Sequence, residues 1–409
     1  MFTLVDRARA RFNPPKMTDV ATTATGDPII KVLMVDDQAM VCEAVRRMLA
    51  DEEGIEFHSI NDPAKAIETA IEIQPTVILQ DLVMPEIDGL TLVKFFRAKA
   101  ETKEVPMIVL SSKEEAETKK KAFELGANDY MVKLPDKLEV IARVRYHSKG
   151  YLNLLQRKKA ETALQAELDE AARYVRSLFP DPMENDIVKT DWVFISSSDL
   201  AGDTFGYHDL DEEHFAIYLL DVTGHGVGAA LHSVSAINVM RAQSLPGVDF
   251  KDPGAVLSGL NEAFDMDKHN QMYFTLWYGV YHKPTRVLKF SSGGHPPSVL
   301  ISDPAKPKES LKTLATPGMV IGGMLGAPFV TDETEVPAGS KLYVFSDGVY
   351  EVDYKDGSGM MTEDEFADGL CLPPMDGMSK VDSMVKWVRE AQGRDAFDDD
   401  FSLMEIIFK

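Results

Sequence analysis

The chain has 409 residues, 44% hydrophobic and 27% charged, with 43 Lys and Arg against 66 Asp and Glu for a net charge of −23. So acidic a surface repels phosphate backbones and anionic lipid, which argues against nucleic acid and membrane as direct partners. No run of roughly eighteen uncharged apolar residues suggests a membrane span, and the length favours two or three domains over a single core.

Residues 1–28 lack a continuous apolar segment and a cleavage signature. They predict a disordered tail rather than a secretory signal, with Met17 as an alternative start. Cys42 and Cys371 stand far apart in no metal-like spacing and fit ordinary thiols in a reducing cytoplasm.

Over residues 29–147, short β-branched runs (IIKVLMV, FHSI, TVILQ, PMIVLSS, NDYMVK) alternate with segments such as MVCEAVRRMLADEEG, whose apolar residues recur at helical spacing. The alternation predicts an α/β domain built on a doubly wound parallel sheet, with its ligand site beyond the carboxyl ends of the strands. Asp36, Asp37 and Asp81 fall at such ends, and crowded carboxylates call for a divalent cation. Two further strand ends bring a hydroxyl, Ser111, and an ammonium, Lys133. A carboxylate nucleophile, a cation, a hydroxyl and a lysine together can accept a phosphoryl group and stabilise its charge.

Residues 148–180 predict a helical linker. Between Leu138 and Phe179 there is no proline and only Gly150, and the pair Pro180–Pro182 ends the helix. Val144, Tyr151, Leu155, Leu164, Leu168, Ala172, Val175 and Leu178 form a loose apolar stripe. It predicts a coiled-coil homodimer, with packing against the chain's own C-terminal domain as the alternative.

Residues 181–409 change to short strands with glycine turns (WVFISSS, HFAIYLLDV, MYFTLWYGVY, VLKFSSGG, SKLYVFSDG, DFSLMEIIF), interrupted by helices around 228–243 and 378–392. This texture predicts an α+β sandwich. Asp203 in LAGDTFG, Asp221 in LLDVTGHG, Asp347 in FSDGVYE, and Asp399 and Asp400 in DDDFS supply a second set of acids in glycine-rich turns. Oxygen ligands with few histidines or cysteines suit two Mg²⁺ or Mn²⁺ ions, which would activate water against a phosphate ester. His225 either touches phosphate or makes a structural hydrogen bond, and His295 more plainly fixes a loop.

The first set of residues resembles the response-regulator receiver family. The resemblance implies a flavodoxin-like fold with Asp81 as phosphoacceptor. It also implies Mg²⁺ held by Asp36, Asp37, Asp81 and the carbonyl of Val83, phosphoryl contacts from Ser111 and Lys133, and Tyr130 as the switch aromatic. VKLPDKLEVIARVRYHS is most similar to receivers of Wsp-type diguanylate cyclase regulators, but no GGEEF-like output follows. The second set resembles the PPM (type 2C) phosphatases of the SpoIIE/RsbU branch, through DEAARYVRSLFP, DVTGHGVGAAL, SSGGHPPSVL, GMVIGGMLG and SDGVYE. That likeness implies a metal-dependent protein Ser/Thr phosphatase in which Asp221 bridges two metals with the carbonyl of Val222. Asp347, Asp399 and Asp400 would serve the second metal, and Asp203 would hold metal-coordinated water. The receiver resemblance implies a sensor histidine kinase upstream, and the phosphatase resemblance implies a phosphorylated STAS-domain protein as substrate. Relatives read GGDFYD where this chain has AGDTFG, so Gly206 replaces an aspartate and leaves an adaptor without catalysis as the alternative.

Overall fold

The computed structural model describes residues 28–409 except 86, 113–115 and 134. The expected disordered tail, Met17 included, lies outside the described residues. The chain divides into two compact units, Met1–Leu164 and Gln165–Lys409. Among the described residues no helix is long and apolar enough to cross a membrane.

In the first unit β1 (Ile30–Val35), β2 (Ile55–Ile60), β3 (Val77–Asp81), β4 (Met107–Ser111) and β5 (Asp129–Val132) form a parallel sheet in the order β2-β1-β3-β4-β5. α1 (Ala39–Leu49), α2 (Ala66–Ile73), α3 (Gly89–Ala98) and α4 (Ala116–Glu124) connect them. β3 and β4 are buried at every position, as strands covered on both faces must be, so their sequences run continuously apolar instead of alternating. The strand order reverses between β1 and β3, and their carboxyl ends border the crevice where a ligand belongs.

α5 (Lys137–Ser177) is one helix of 41 residues. It begins as the last helix of the receiver and runs on into the linker, as the proline-free stretch from Leu138 predicts: Val140, Val144 and Leu152 belong to the core built on β1, β3 and β4. Its last turns belong to the second unit, where Leu168, Ala172 and Val175 pack on Leu200, Ala230 and Val234. The apolar stripe is therefore not one seam. Its two ends are used inside the two units, and Leu164 between them stays 59% exposed.

Beyond α5, Phe179 stacks on Phe205 with ring centroids 4.5 Å apart, and Trp192 Nε1 donates to the Pro180 carbonyl at 2.9 Å. These contacts open the second unit, a sandwich of two antiparallel sheets. One comprises β7 (Thr204–Asp209), β8 (His214–Val222), β9 (Phe274–His282), β10 (Val287–Gly293) and β13 (Asp332–Glu335). The other comprises β6 (Val188–Ile195), β11 (Ser298–Ile301), β12 (Leu311–Leu314), β14 (Lys341–Phe345) and β15 (Phe401–Phe408). Phe205, Phe215, Trp277, Val344 and Met404 meet between the sheets. α6 (Val227–Arg241) and α7 (Pro253–Ala263) cover the first sheet, and α9 (Glu363–Leu370) and α10 (Lys380–Gln392) cover the second.

α6 and α10 are the two expected helices, whereas α7 and α9 are additional. Both are short and carry glycines that disguise the helical pattern. Gly369 lets Trp387 lie against α9, since a Cβ there would come within 2.9 Å of that indole. α9 does carry a local start signal, the capping box of Thr362 and Glu365.

Candidate functional site

The turns after β1, β3, β4 and β5 bring Asp36, Asp37, Asp81, Ser111 and Lys133 to one end of the parallel sheet. Asp36 and Asp81 are fully buried. Lys133 Nζ lies 2.8 Å from Asp81 Oδ2 and 3.2 Å from Asp36 Oδ2, and Lys133 N donates to the Ser111 carbonyl at 2.7 Å. Burial, and less strongly the charge of Asp36, push the Asp81 carboxyl above its ordinary range, while Lys133 pulls it back. The backbone of Val83 also hydrogen-bonds Asp81, and its side chain points to solvent. Asp36, Asp37 and Asp81 each offer an oxygen within 4.8 Å of the others. Asp37 Oδ1 is buried and has no hydrogen-bond partner among the described residues. An orphaned carboxylate oxygen beside two buried acids fits a hard divalent cation.

Gly89 lets α3 start against the turn after β3, where a Cβ would collide with the Asp81 carbonyl. Tyr130 is buried, with Lys119 Nζ 5.4 Å from its ring centroid. Asn61, which the sequence did not single out, donates from Nδ2 to the Asp36 carbonyl at 2.7 Å and steadies that turn.

In the second unit Asp221 ends β8, Asp347 begins the turn after β14, Asp203 precedes β7, and Asp399 lies before β15. Alternation along β7 and β8 places Asp203 and Asp221 with the inter-sheet core, since Phe205 and Leu219, two residues away from them, both point there. Asp203 is buried and Asp399 lies at the exposed rim. Burial first, then Asp347 and Asp399, push Asp221 up to about 7, and burial followed by Glu351 and Asp399 pushes Asp347 up to about 6. Asp203 is held well above the carboxylate range by burial and by Asp221 and Asp400. The charges acting most strongly on these three are all negative. Mutual repulsion without a cationic side chain fits bound divalent metal. Among the described residues no three of these acids approach as tightly as the 4.8 Å trio of the first unit.

Glycines bring the backbone in. A Cβ on Gly202 would lie 2.7 Å from the Val222 carbonyl oxygen, and one on Gly348 would collide with the Asp400 carbonyl. Gly224 and Gly226 have φ of +86° and +87°, which turn the chain around exposed His225 next to Asp399.

Two expectations change. Asp400 is a brace rather than a free ligand: Oδ1 accepts from Ser197 N at 2.8 Å and Oδ2 from Gly202 N at 2.9 Å. Gly206 does not open a gap among the acids. Three residues after Asp203 it faces the helix-covered side of the sheet, where a Cβ would collide with the Tyr218 phenol. Ser402, which no sequence motif singled out, donates from Oγ to Asp203 Oδ2 at 2.6 Å. Its only signal was a hydroxyl two residues after the acidic run. His295 is buried, with Nδ1 2.7 Å from Thr275 Oγ1.

Comparison with known proteins agrees with this division. Residues 32–145 match the response regulator receiver domain and residues 211–409 match stage II sporulation protein E (SpoIIE). Phosphoserine phosphatase RsbP of Bacillus subtilis is 28% identical over 189 residues, 45% of this chain and 45% of RsbP. Transcriptional regulatory protein SrrA of Staphylococcus aureus is 34% identical over 137 residues, 34% of this chain and 52% of SrrA. The chain thus spans about half the length of these curated relatives. The SiaA-PP2C domain of Pseudomonas aeruginosa superposes with a TM-score of 0.52 at 18% identity, over 61% of this chain and 99% of that domain, a likeness of fold. The chain carries a response-regulator receiver domain followed by a SpoIIE-type phosphatase domain of the PPM fold.

Proposed function

We propose that the protein is a cytoplasmic response regulator in which phosphorylation of Asp81 governs a metal-dependent protein Ser/Thr phosphatase. The observation that carries this reading is that the chain holds both sets of acids while α5 packs on the segments that flank the second set. Leu168, Ala172 and Val175 pack on Leu200, three residues before Asp203, and on α6, which follows the turn after Asp221. Gly226 N donates to the Leu200 carbonyl at 3.1 Å, which ties those two segments together. A change in α5 therefore has a short path to the acids, and α5 is the two-state element that a switch requires.

At the receiver, an Asp81 carboxylate oxygen attacks the phosphoryl group of a donor such as a sensor histidine kinase, and the phosphorus–nitrogen bond to the donor's histidine breaks as the acyl phosphate forms. Lys133 and Ser111 receive the phosphoryl oxygens, and Asp36 and Asp37, with Asp81 and the Val83 carbonyl, would hold Mg²⁺, which would supply charge neutralisation there. At the phosphatase, Asp221, Asp347, Asp399 and the Val222 carbonyl hold two Mg²⁺ or Mn²⁺ ions, which when bound supply Lewis acidity toward water and phosphate. Asp203, its carboxylate steadied by Ser402, orients the attacking water. The phosphorus–oxygen bond to the substrate serine or threonine breaks as the bond to the water oxygen forms, and the leaving oxygen takes up a proton, so that one water is consumed and the free hydroxyl and inorganic phosphate are released. A phosphorylated STAS-type anti-sigma-factor antagonist is the substrate class, and the exposed stretch of α5 around Leu164 is the candidate homodimer contact.

The adaptor alternative drew on Gly206. With that position turned to Tyr218, the acid set lacks nothing that Gly206 would have supplied, which favours the enzyme. The test is hydrolysis of p-nitrophenyl phosphate by the full chain with Mn²⁺, with and without beryllofluoride, beside Asp347→Ala. Activity that requires Mn²⁺, vanishes in D347A and changes with beryllofluoride is the expected result. No turnover in either receiver state returns the adaptor reading.

A further inference from the structure

On the far side of the second sheet from the inter-sheet core, a cavity of about 360 Å³ opens between β11, β14 and the segment joining α9 to α10. Apolar groups make most of its wall: Ile301, Pro304, Pro307, Leu370 and the Pro373–Pro374 pair. Four prolines in that lining have no rotamer freedom to lose on contact with a ligand. The cavity's size lies at the small end of the range for ligand pockets, below what a peptide needs.

The polar groups are few and of one sign. Lys341 and Lys380 are the charged residues that line the cavity, and no acid lines it. Lys341 is already matched by Glu405, which lies 3.2 Å away and also accepts from Tyr343 Oη at 2.7 Å. Asp191, opposite Glu405, lies one strand further from the cavity, and Lys308 pairs with Asp368 nearby at 3.2 Å. Lys380 differs from these. It is 7% exposed, and its ammonium donates to the carbonyls of Gly369 at 3.0 Å and Leu372 at 2.8 Å. Those are helix-end carbonyls, and no carboxylate pairs with it among the described residues. Two acceptors leave one of its three N–H groups for a ligand. Burial, and then Lys341, press its pKa down to about 8, against the pull of Glu405.

A lysine that only capped the end of α9 would gain its carbonyl contacts with the ammonium in water, where desolvation costs nothing. Here it is placed at the wall of an apolar hollow, with Glu405 as the nearest compensating charge and, among the described residues, no carboxylate in contact with it. We propose that this cavity is a binding site for a small organic monoanion, a carboxylate with a flat or branched apolar body, held by Lys380 against the proline and leucine wall. A monoanion matches one unpaired ammonium, whereas a phosphate dianion would keep a surplus negative charge near Glu405. The Cys371 thiol lines the same cavity, and burial and then Asp368 raise its pKa, so its alkylation is slow and reports access to the cavity.

The test uses the full chain and benzoate as probe, read by calorimetric titration and by the rate at which iodoacetamide alkylates Cys371. Benzoate should bind saturably and slow the alkylation, with benzamide, its neutral counterpart, at least about tenfold weaker. Lys380→Met should lose benzoate binding by about tenfold or more while circular dichroism stays that of the native chain. Equal binding of benzoate and benzamide, benzoate affinity unchanged in K380M, or no saturable binding up to about 10 mM would each overturn the proposal. Should K380M not fold, the native chain decides alone: protection of Cys371 by benzoate and not by benzamide supports the site, and equal or absent protection removes it. Neither readout depends on phosphatase turnover.

Discussion

Asp400 Oδ2 accepts the Gly202 N–H at 2.9 Å, joining the start of β15 to the loop that presents Asp203. The second oxygen of Asp400 takes Ser197 N, so one side chain closes the loop from both ends. Asp400→Asn places an amide against N–H donors. Charged hydrogen bonds of this kind contribute about 1.5 to 3 kcal/mol each. D400N should lower the thermal midpoint of the phosphatase domain and reduce Mn²⁺-dependent turnover through loss of metal affinity, recoverable in part at higher Mn²⁺. Unchanged stability would show that the loop is held by other contacts.

In the receiver, Lys133 is shared between Asp81 and Asp36. Asp81→Asn should abolish incorporation of phosphate from acetyl phosphate, and chelation of Mg²⁺ should do the same to the native chain. Lys133→Met should leave a site that accepts phosphate slowly and no longer transmits a beryllofluoride effect to the phosphatase. A beryllofluoride response in K133M equal to that of the native chain would contradict this role.

α5 offers two separable tests. Val175→Ala opens a void against Leu200 and Ala230, at a cost of about 1 to 3 kcal/mol, and should diminish the beryllofluoride effect more than basal turnover. Leu164→Lys alters only an exposed position and should spare both activities while shifting sedimentation from dimer toward monomer. A dimer that survives L164K would place the contact elsewhere.

His295 gives the pH dependence. Burial lowers its pKa from the ordinary 6.5 to about 3, opposed only weakly by the Phe345 backbone. The folded chain therefore binds its proton less well than the unfolded chain does. Stability is complete above about pH 6.5 and falls as pH drops toward 3, by a few kcal/mol in all. His295→Gln should flatten the slope of the thermal midpoint across that window, after correction for the carboxylates, which titrate in the same range.

Much of this protein was legible in one dimension because its chemistry sits where patterns change. The receiver strands announce themselves as unbroken apolar runs, and Asp36, Asp81, Ser111 and Lys133 each follow such a run directly. The same held for Asp221 and Asp347, set off by glycines whose conformation a larger residue could not adopt or could not fit. Helices α7 and α9 were illegible because their glycines interrupt the periodicity, and only packing on a sheet shows that those positions need to be small.

What the sequence could not decide was direction. Adjacent acids on an extended segment point to opposite sides, so DDDFS alone could not tell Asp399 at the rim from Asp400 turned into the 196–203 loop. Gly206 raised the same question, and the register of β7 with β8 answered it by setting Tyr218 where a side chain would be. The apolar stripe of α5 was plain to read, but whether it meets another copy or its own chain depends on surfaces brought together from residues far apart in sequence. Residue types and spacing determined which groups are available. Strand register and helix packing decided which way each one faces, because those are set by long-range contacts that no local pattern encodes.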